Sequence, residues 1–461
     1  MKNFDIVVLG GGPGGYVAAI KASQLGAKVA VIEMDQLGGV CLNIGCIPTK
    51  TLLRTAKLYQ DLLNSKAFGI DIPGMEHVEI NWENLMNRKK TVVKKVVGGV
   101  QQLMKYNNIE VINGFGTLLD PHTVEVNGER IVTKNLILAT GSSVKLPKIE
   151  GIEEGYKQGT VIDSTGAIEL KAHPKSMTIL GGGVIAVEFA TLFNSLGTKV
   201  TMLQRSDVIL KNLDEDVRNT IQRHLINEGV EIITNTTLKS ISGQTTYYES
   251  EGALKSVKSD FILASLGRVP NLKGIENLNL KVGRKGVEVD SHMETNVKGV
   301  YAVGDMVGKM MLAHVASAEG IVAAEAIMGT KTKIDYNKVP ACIYSFPEVG
   351  VIGYSEEDAK KAGFDVGTSV FPLSANGKAM AEGETTGFVK IVHDKKYGEV
   401  LGVHIVASHA TDMIAEAAVS LELEGTIYDL AKTIHPHPTL SEIVMEAAHG
   451  AVDKPIHIVK M

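Results

Sequence analysis

A chain of 461 residues is too long for one ordinary hydrophobic core and points to about three domains. Hydrophobic content of 44%, charged content of 21% and 48 glycines exclude a disordered, fibrous or membrane-embedded chain and indicate a glycine-rich α/β protein. The net charge of −5 speaks against nucleic acid as a partner, and three cysteines are too few for a disulfide framework.

The first predicted element is an apolar strand over residues 6–9 that runs straight into a glycine turn. This start leaves no room for a signal peptide, and the apolar runs end at glycines far short of the ~18 residues a membrane span needs. No membrane segment is predicted, and the default expectation is a cytoplasmic protein. Gly10-x-Gly12-x-x-Gly15 follows the strand and opens a helix, so the backbone can approach a pyrophosphate at the positive helix end. Glu33 closes the next strand, where a carboxylate can bond a ribose.

Cys41 and Cys46 follow in GGVCLNIGCIPTK. Pro48 suits a first helical turn and puts Cys46 at a helix N-terminus, where the dipole favours a thiolate. A pair at this spacing in a reducing compartment is redox-active or metal-binding, and no second ligand pair of zinc type accompanies it. A Lys-rich helix around 87–105 and short strands near 123–126 and 135–140 come next.

Residues 176–204 repeat the pattern of 5–33, with Gly181, Gly183 and Gly197 standing as Gly10, Gly12 and Gly26 do. Each copy reads as a βαβ unit, which implies two parallel-sheet dinucleotide folds. The second copy carries Ala186 at the third motif position and Gln204 where the first has Glu33, followed by Arg205 and Lys211. A carboxylate there favours NAD and a guanidinium welcomes a 2′-phosphate, so these residues leave both NAD and NADP open. Further strands are predicted at 261–267 and 299–303, and from about residue 336 alternating apolar segments and a helix near 413–424 mark a separate α+β unit. Cys342 lies there without a cysteine partner and reads as a buried structural thiol. His435-Pro-His437-Pro-Thr-Leu-Ser-Glu442 sets an imidazole and a carboxylate five residues apart, a candidate base and its orienter or a structured turn with surface histidines.

Taken in order, GGVCLNIGCIPTK, the two nucleotide fingerprints, LATGSS, VYAVGD and HPHPTLSE resemble the class I pyridine nucleotide–disulfide oxidoreductases, and within them the dihydrolipoamide dehydrogenases, over residues 4–446. The resemblance implies two Rossmann-like dinucleotide-binding domains and a C-terminal α+β dimerisation domain. It divides the chain into an FAD domain over 1–145 and 267–335, an NAD(P) domain over 146–266 and a dimerisation domain over 336–461. FAD would contact Gly10, Gly12, Gly15, Glu33, Lys50, Gly114, Thr140, Gly141, Ser142, Gly267 and Asp305, with Met311, Leu312, Ala313 and His314 opening a helix toward its ring. The nicotinamide nucleotide would contact Gly181, Gly183, Ala186, Gln204 and Arg205, and Glu188 would pair with Lys50.

The implied reaction is oxidation of dihydrolipoamide. His437, oriented by Glu442 and supplied by the other subunit of a homodimer, would deprotonate a lipoyl thiol that attacks Cys41. Electrons would pass through Cys46 to FAD and leave as hydride to NAD. The lipoyl group would arrive on a carrier protein of a 2-oxo acid dehydrogenase or glycine cleavage system. Three departures stand out: Gln204 for a glutamate, Ala186 for a glycine, and Ala407-Ser408-His409 where the family has a glycine first. The residues around Gln204 support a rival, an NADPH-dependent disulfide or mercuric reductase; against it, the HPHPTLSE stretch resembles that of the lipoamide enzymes and the sequence shows no C-terminal cysteine pair to pass Hg²⁺ inward. A non-catalytic flavin-binding subunit would be expected to lose the cysteines or the base, and both are present.

Overall fold

The computed structural model describes residues 2–458. Strand β1 (Lys2–Leu9), helix α1 (Pro13–Gln24) and strand β2 (Val29–Glu33) form the first βαβ unit. The inner residues of β1 are fully buried because the sheet is covered on both faces, as parallel sheets are. β1 pairs in parallel with β2 (Val7↔Ala30) and with the strand Glu129–Leu138 (Val7↔Leu136), at the centre of a seven-stranded sheet. Gly10, at φ +104°, makes the sharp exit from β1; a Cβ there would lie 2.3 Å from the Ala139 carbonyl oxygen. Helices α2 (Gly39–Ile44), α3 (Cys46–Leu63) and α4 (Trp82–Tyr106) follow β2. The strand Val300–Ala302 later pairs in parallel with Glu129–Leu138 and completes this sheet.

The second βαβ unit builds a five-stranded sheet, with Ser176–Leu180 between Lys199–Leu203 and Phe261–Ala264. The chain enters and leaves this part through an antiparallel ribbon, in which Ser142–Val144 pairs with Arg268–Pro270. The last part is a five-stranded antiparallel sheet covered by the helices Ala410–Glu422 and Glu442–Val452. Two dinucleotide-type sheets and an α+β unit are thus the architecture expected from the glycine repeat and the change of pattern near residue 336. Among the described residues no helix is long and apolar enough to cross a membrane.

Every residue of the central strands Phe388–Asp394 and Val400–Ala407 is buried, and this includes Lys390, His393 and His404. The Lys390 ammonium lies 3.1 Å from buried Asp214, and 2.7 Å from Asp216 and 3.0 Å from Glu356, which reach solvent, so the second sheet's domain and the last sheet share an ion cluster. The three carboxylates outweigh burial and raise the lysine's hold on its proton. Removing Lys390 would leave Asp214 as a buried charge without its cation, the kind of loss that destabilises by about 3–5 kcal/mol.

Two expectations need adjusting. The helix expected at residues 311–314 begins at Ala313, with Leu312 as an extended N-cap, because the preceding turn is held by Leu312 donating back to Met310. Cys342 is only half-buried, on the edge strand Ala341–Ile343, where burial and nearby carboxylates push its thiol up to about 11.

Candidate active site

Cys46 is the first residue of α3, an N-terminus that no side chain caps. Its partial positive charge and Lys50, one turn on, favour a thiolate. Cys41, on α2, donates its S–H to Cys46 in the dithiol form. That bond is the main reason Cys46 falls to about 7, against the opposing effects of burial and Glu188. The same bond, with burial, pushes Cys41 up. One reduced cysteine is therefore ready to carry charge while its neighbour keeps the proton. Gly39 brings the cysteine segment against the glycine turn, since a Cβ there would lie 2.8 Å from Gly12 Cα.

Three parts of the fold meet beside the pair. Lys50 Nζ donates to both oxygens of Glu188, at 3.0 and 2.8 Å, and lies 4.4 Å from the centre of the Tyr344 ring. Tyr344 donates its backbone N–H to Glu188 Oε1 at 3.1 Å. Glu188 is buried on the helix Val184–Ser195, and its charge is balanced by the lysine. Tyr344 was not legible in the sequence; no spacing connects it with residues 50 or 188.

The first glycine turn fits a dinucleotide. Gly12 is the N-cap of α1, no side chain caps that end, and a Cβ on Gly12 would meet nothing nearer than 3.9 Å, so backbone donors are open to a diphosphate. Buried Glu33 accepts from Gly11 N at 2.6 Å and from Asp35 N at 2.8 Å, which fixes the turn around a carboxylate. Gly114 donates its N–H to the Glu33 carbonyl at 2.8 Å. The Thr140–Gly141–Ser142 turn is tied to Asp305, because Ser142 Oγ donates to Asp305 Oδ2 at 2.5 Å. Arg268, just after Gly267, donates to Ser142 Oγ at 2.7 Å and to its carbonyl at 2.6 Å. Glu319, buried in the helix Ala313–Ile327, accepts from Gly304 N and from Tyr336 Oη, both at 2.6 Å, and so secures the turn that carries Asp305. His314 Nε2 lies 2.8 Å from the Pro340 carbonyl, and Met311 lies on the surface ahead of the helix.

In the second turn Gly181 has φ +112°, Gly183 is an uncapped helix N-cap and Ala186 is fully buried. Gln204 donates to Ser206 Oγ at 2.6 Å and to the Val208 carbonyl at 3.2 Å. Arg205 and Lys211 are exposed and make no ion pair among the described residues.

His437 lies on the last unit, its side chain 79% exposed, with Nδ1 2.9 Å from Glu442 Oε1. Glu442 also accepts from Thr439 N at 2.8 Å. Burial works against its charge, but the Thr439 amide and His437 outweigh it and hold Glu442 below the usual carboxylate range. With Nδ1–H donated to the carboxylate, a neutral ring has its lone pair on Nε2, available as a base. None of the hydrogen bonds of His437 reaches Cys41 or Cys46 of its own chain.

Residues 4–320 match the model of the pyridine nucleotide-disulphide oxidoreductases, and residues 339–448 match the dimerisation domain of the same proteins. The chain belongs to this family. It is an oxidoreductase that uses FAD and NAD(H), and its last sheet is a dimerisation domain. Among curated proteins it is 42% identical to the dihydrolipoyl dehydrogenase of Geobacillus stearothermophilus, covering 99% of this chain and 97% of that one. A dihydrolipoyl dehydrogenase of Bacillus subtilis is 41% identical, with coverage of 99% and 98%. Among solved structures, LpdA from Mycobacterium tuberculosis superposes with a TM-score of 0.87 at 26% identity, covering 98% of this chain and 99% of that one. The HOCl-induced flavoprotein disulfide reductase RclA from Escherichia coli, in a Cu(II) complex, gives 0.86 at 27% identity, over 97% and 99%.

Proposed function

We propose that this protein is a dihydrolipoyl dehydrogenase working as a homodimer, in which His437 of one copy serves the cysteine pair of the other and the substrate is the dihydrolipoyl group of a carrier protein. The observation that carries this reading is the combination of a thiolate-ready Cys41–Cys46 pair with a carboxylate-held, exposed imidazole on the dimerisation domain. Large apolar side chains on that domain, Ile434 at 93% and Leu423 at 76% exposed, support a surface covered by a second copy. The domain limits 1–145 with 267–335, 146–266 and 336–461 belong to the same reading.

His437 Nε2 takes the proton of one lipoyl thiol, since only the thiolate attacks a disulfide. That thiolate forms a bond to Cys41 of the oxidised pair, and the Cys41–Cys46 bond breaks. Cys46 leaves as a thiolate, which its helix N-terminus and Lys50 favour. The second lipoyl thiol then attacks its sister sulfur, releases the cyclic disulfide and leaves Cys41 as a thiol, with one proton passed on through His437. FAD, which the first glycine turn and Glu33 would hold, would supply a two-electron acceptor for the reduced cysteine pair and the means of passing a hydride to the nicotinamide. Lys50 and Glu188 neutralise each other beside the pair, so no net charge opposes the Cys46 thiolate. Gln204 with exposed Arg205 and Lys211 supports acceptance of NADP as well as NAD.

The decisive experiment is steady-state oxidation of dihydrolipoamide with NAD or NADP as acceptor and glutathione as a control thiol. Turnover of dihydrolipoamide but not glutathione, lost in Cys41→Ser and Cys46→Ser with flavin still bound, is expected. Normal turnover in either serine variant sinks the relay. Absence of dihydrolipoamide oxidation, with NADPH-driven reduction of another disulfide, would favour the reductase reading that the Gln204 region supports.

A further inference from the structure

The turn that carries His437 is anchored from outside at both ends. At its start, His435 is almost enclosed, its side chain 4% exposed, with Nε2 2.6 Å from Glu416 Oε1 and Nδ1 3.0 Å from the Thr433 carbonyl. A carbonyl and a carboxylate only accept hydrogen bonds. A neutral imidazole has one N–H and would set its bare nitrogen against an oxygen lone pair, so both contacts form together only on the doubly protonated ring. Glu416 raises the ring's hold on its proton, and burial opposes it. At the far end, Asn376 Nδ2 donates to the Thr439 carbonyl at 3.0 Å. Between the anchors Thr439 Oγ1 donates to the Pro436 carbonyl at 2.8 Å, and Thr439 N donates to Glu442.

We propose that Glu416, acting through His435, is a positioning residue for His437. The Glu416–His435 ion pair fixes one end of the 433–441 turn as Asn376 fixes the other, so that the free Nε2 of His437 stands at one place on the dimerisation surface. Glu416 lies on the helix Ala410–Glu422 and reaches the turn across 19 positions of sequence. This inference rests on the proposed role of His437 as the base.

The charged groups facing His435 are Glu416 from its own helix and Glu442 from the helix Glu442–Val452. Because its folded-state proton affinity is raised, the anchor is complete below the ordinary histidine value of about 6.5 and is lost as pH rises through the raised one. His437 works as a base only after losing its own proton. Release of His435 contributes to the alkaline limb of dihydrolipoamide oxidation.

The test compares kcat/KM for dihydrolipoamide in the dimeric holoenzyme and in E416Q, across pH, with NADH-driven reduction of a quinone as a reaction that bypasses His437. Loss of one charge-assisted hydrogen bond predicts a fall of about tenfold in E416Q. The alkaline limb should move to lower pH, and quinone reduction should be unchanged. In an H437Q background, E416Q should cause no further loss, because a residue acting only through His437 has nothing left to position. If E416Q fails to dimerise or to hold flavin, H435Q, which keeps one donor toward Glu416, is read in the same way. Wild-type kcat/KM in E416Q, a further tenfold loss in the double variant, or a parallel fall in quinone reduction overturns the proposal. If the unmutated protein does not oxidise dihydrolipoamide, the substrate assignment fails and takes this inference with it.

Discussion

In the first glycine turn a Cβ on Gly15 would lie 1.9 Å from the Gly10 carbonyl oxygen, whereas the equivalent place in the second turn holds Ala186, buried with its methyl accommodated. The first turn surrounds a buried carboxylate, Glu33, which two backbone amides hold; the second ends in Gln204, occupied with its own loop, beside an unpaired Arg205. The two copies share one backbone plan and differ in tightness and in charge. Tightness suits a cofactor that stays bound. A looser, neutral turn suits a nucleotide that must arrive and leave at each cycle.

The largest expected effect tests tightness. Gly15→Ala should strip the flavin and lower stability by about 1–3 kcal/mol through overpacking, read as flavin per chain and as Tm. Ala186→Gly should leave flavin untouched and destabilise by only about 1 kcal/mol. Full flavin content in Gly15→Ala would remove the distinction between the turns. Next comes charge: Glu33→Gln should weaken flavin binding by about tenfold or more, as the amide keeps one acceptor and loses the charge, measured by flavin release on dilution. Gln204→Glu should sharpen the contrast in the other direction, raising the NAD to NADP ratio of kcat/KM by about tenfold through repulsion of a 2′-phosphate. An unchanged ratio would show that Gln204 does not face the ribose. The smallest effect belongs to Arg205→Ala, a loss of NADP turnover worth about 0.2–1 kcal/mol for an exposed charge, with NAD turnover unaltered.

The repeated turns were legible because glycine spacing is a local property of the chain: Gly10, Gly12 and Gly15 must permit one backbone path whatever packs around them. The N-terminal setting of Cys46 was legible for the same reason, through Pro48 two residues later. His437 and Glu442 were within reach of a five-residue spacing, but the bland alternative was equally local, and the family resemblance and the 2.9 Å contact are what favour the paired reading. What local pattern could not show are junctions between distant segments. Lys50 with Glu188 and Tyr344, Lys390 with Asp214, and His435 with Glu416 each depend on tertiary placement, and a buried lysine reads in sequence like any surface lysine until the carboxylates around it are seen. Glu319 belongs with them, because its helix also carries Glu325 and only the packing shows which of the two acids is buried.

The ribbon in which Ser143 faces Val269 has a consequence for how such a chain could have been assembled in evolution. Its two strands carry the chain out to the second sheet and back to nearly the same point, so the host sheet sees little more than a lengthened loop. An ancestral single-nucleotide protein could have received a copy of its own βαβ unit at this place without re-routing any strand of its core. By the same geometry, a descendant could exchange that unit for one reading a different nucleotide while its cysteine relay was inherited intact.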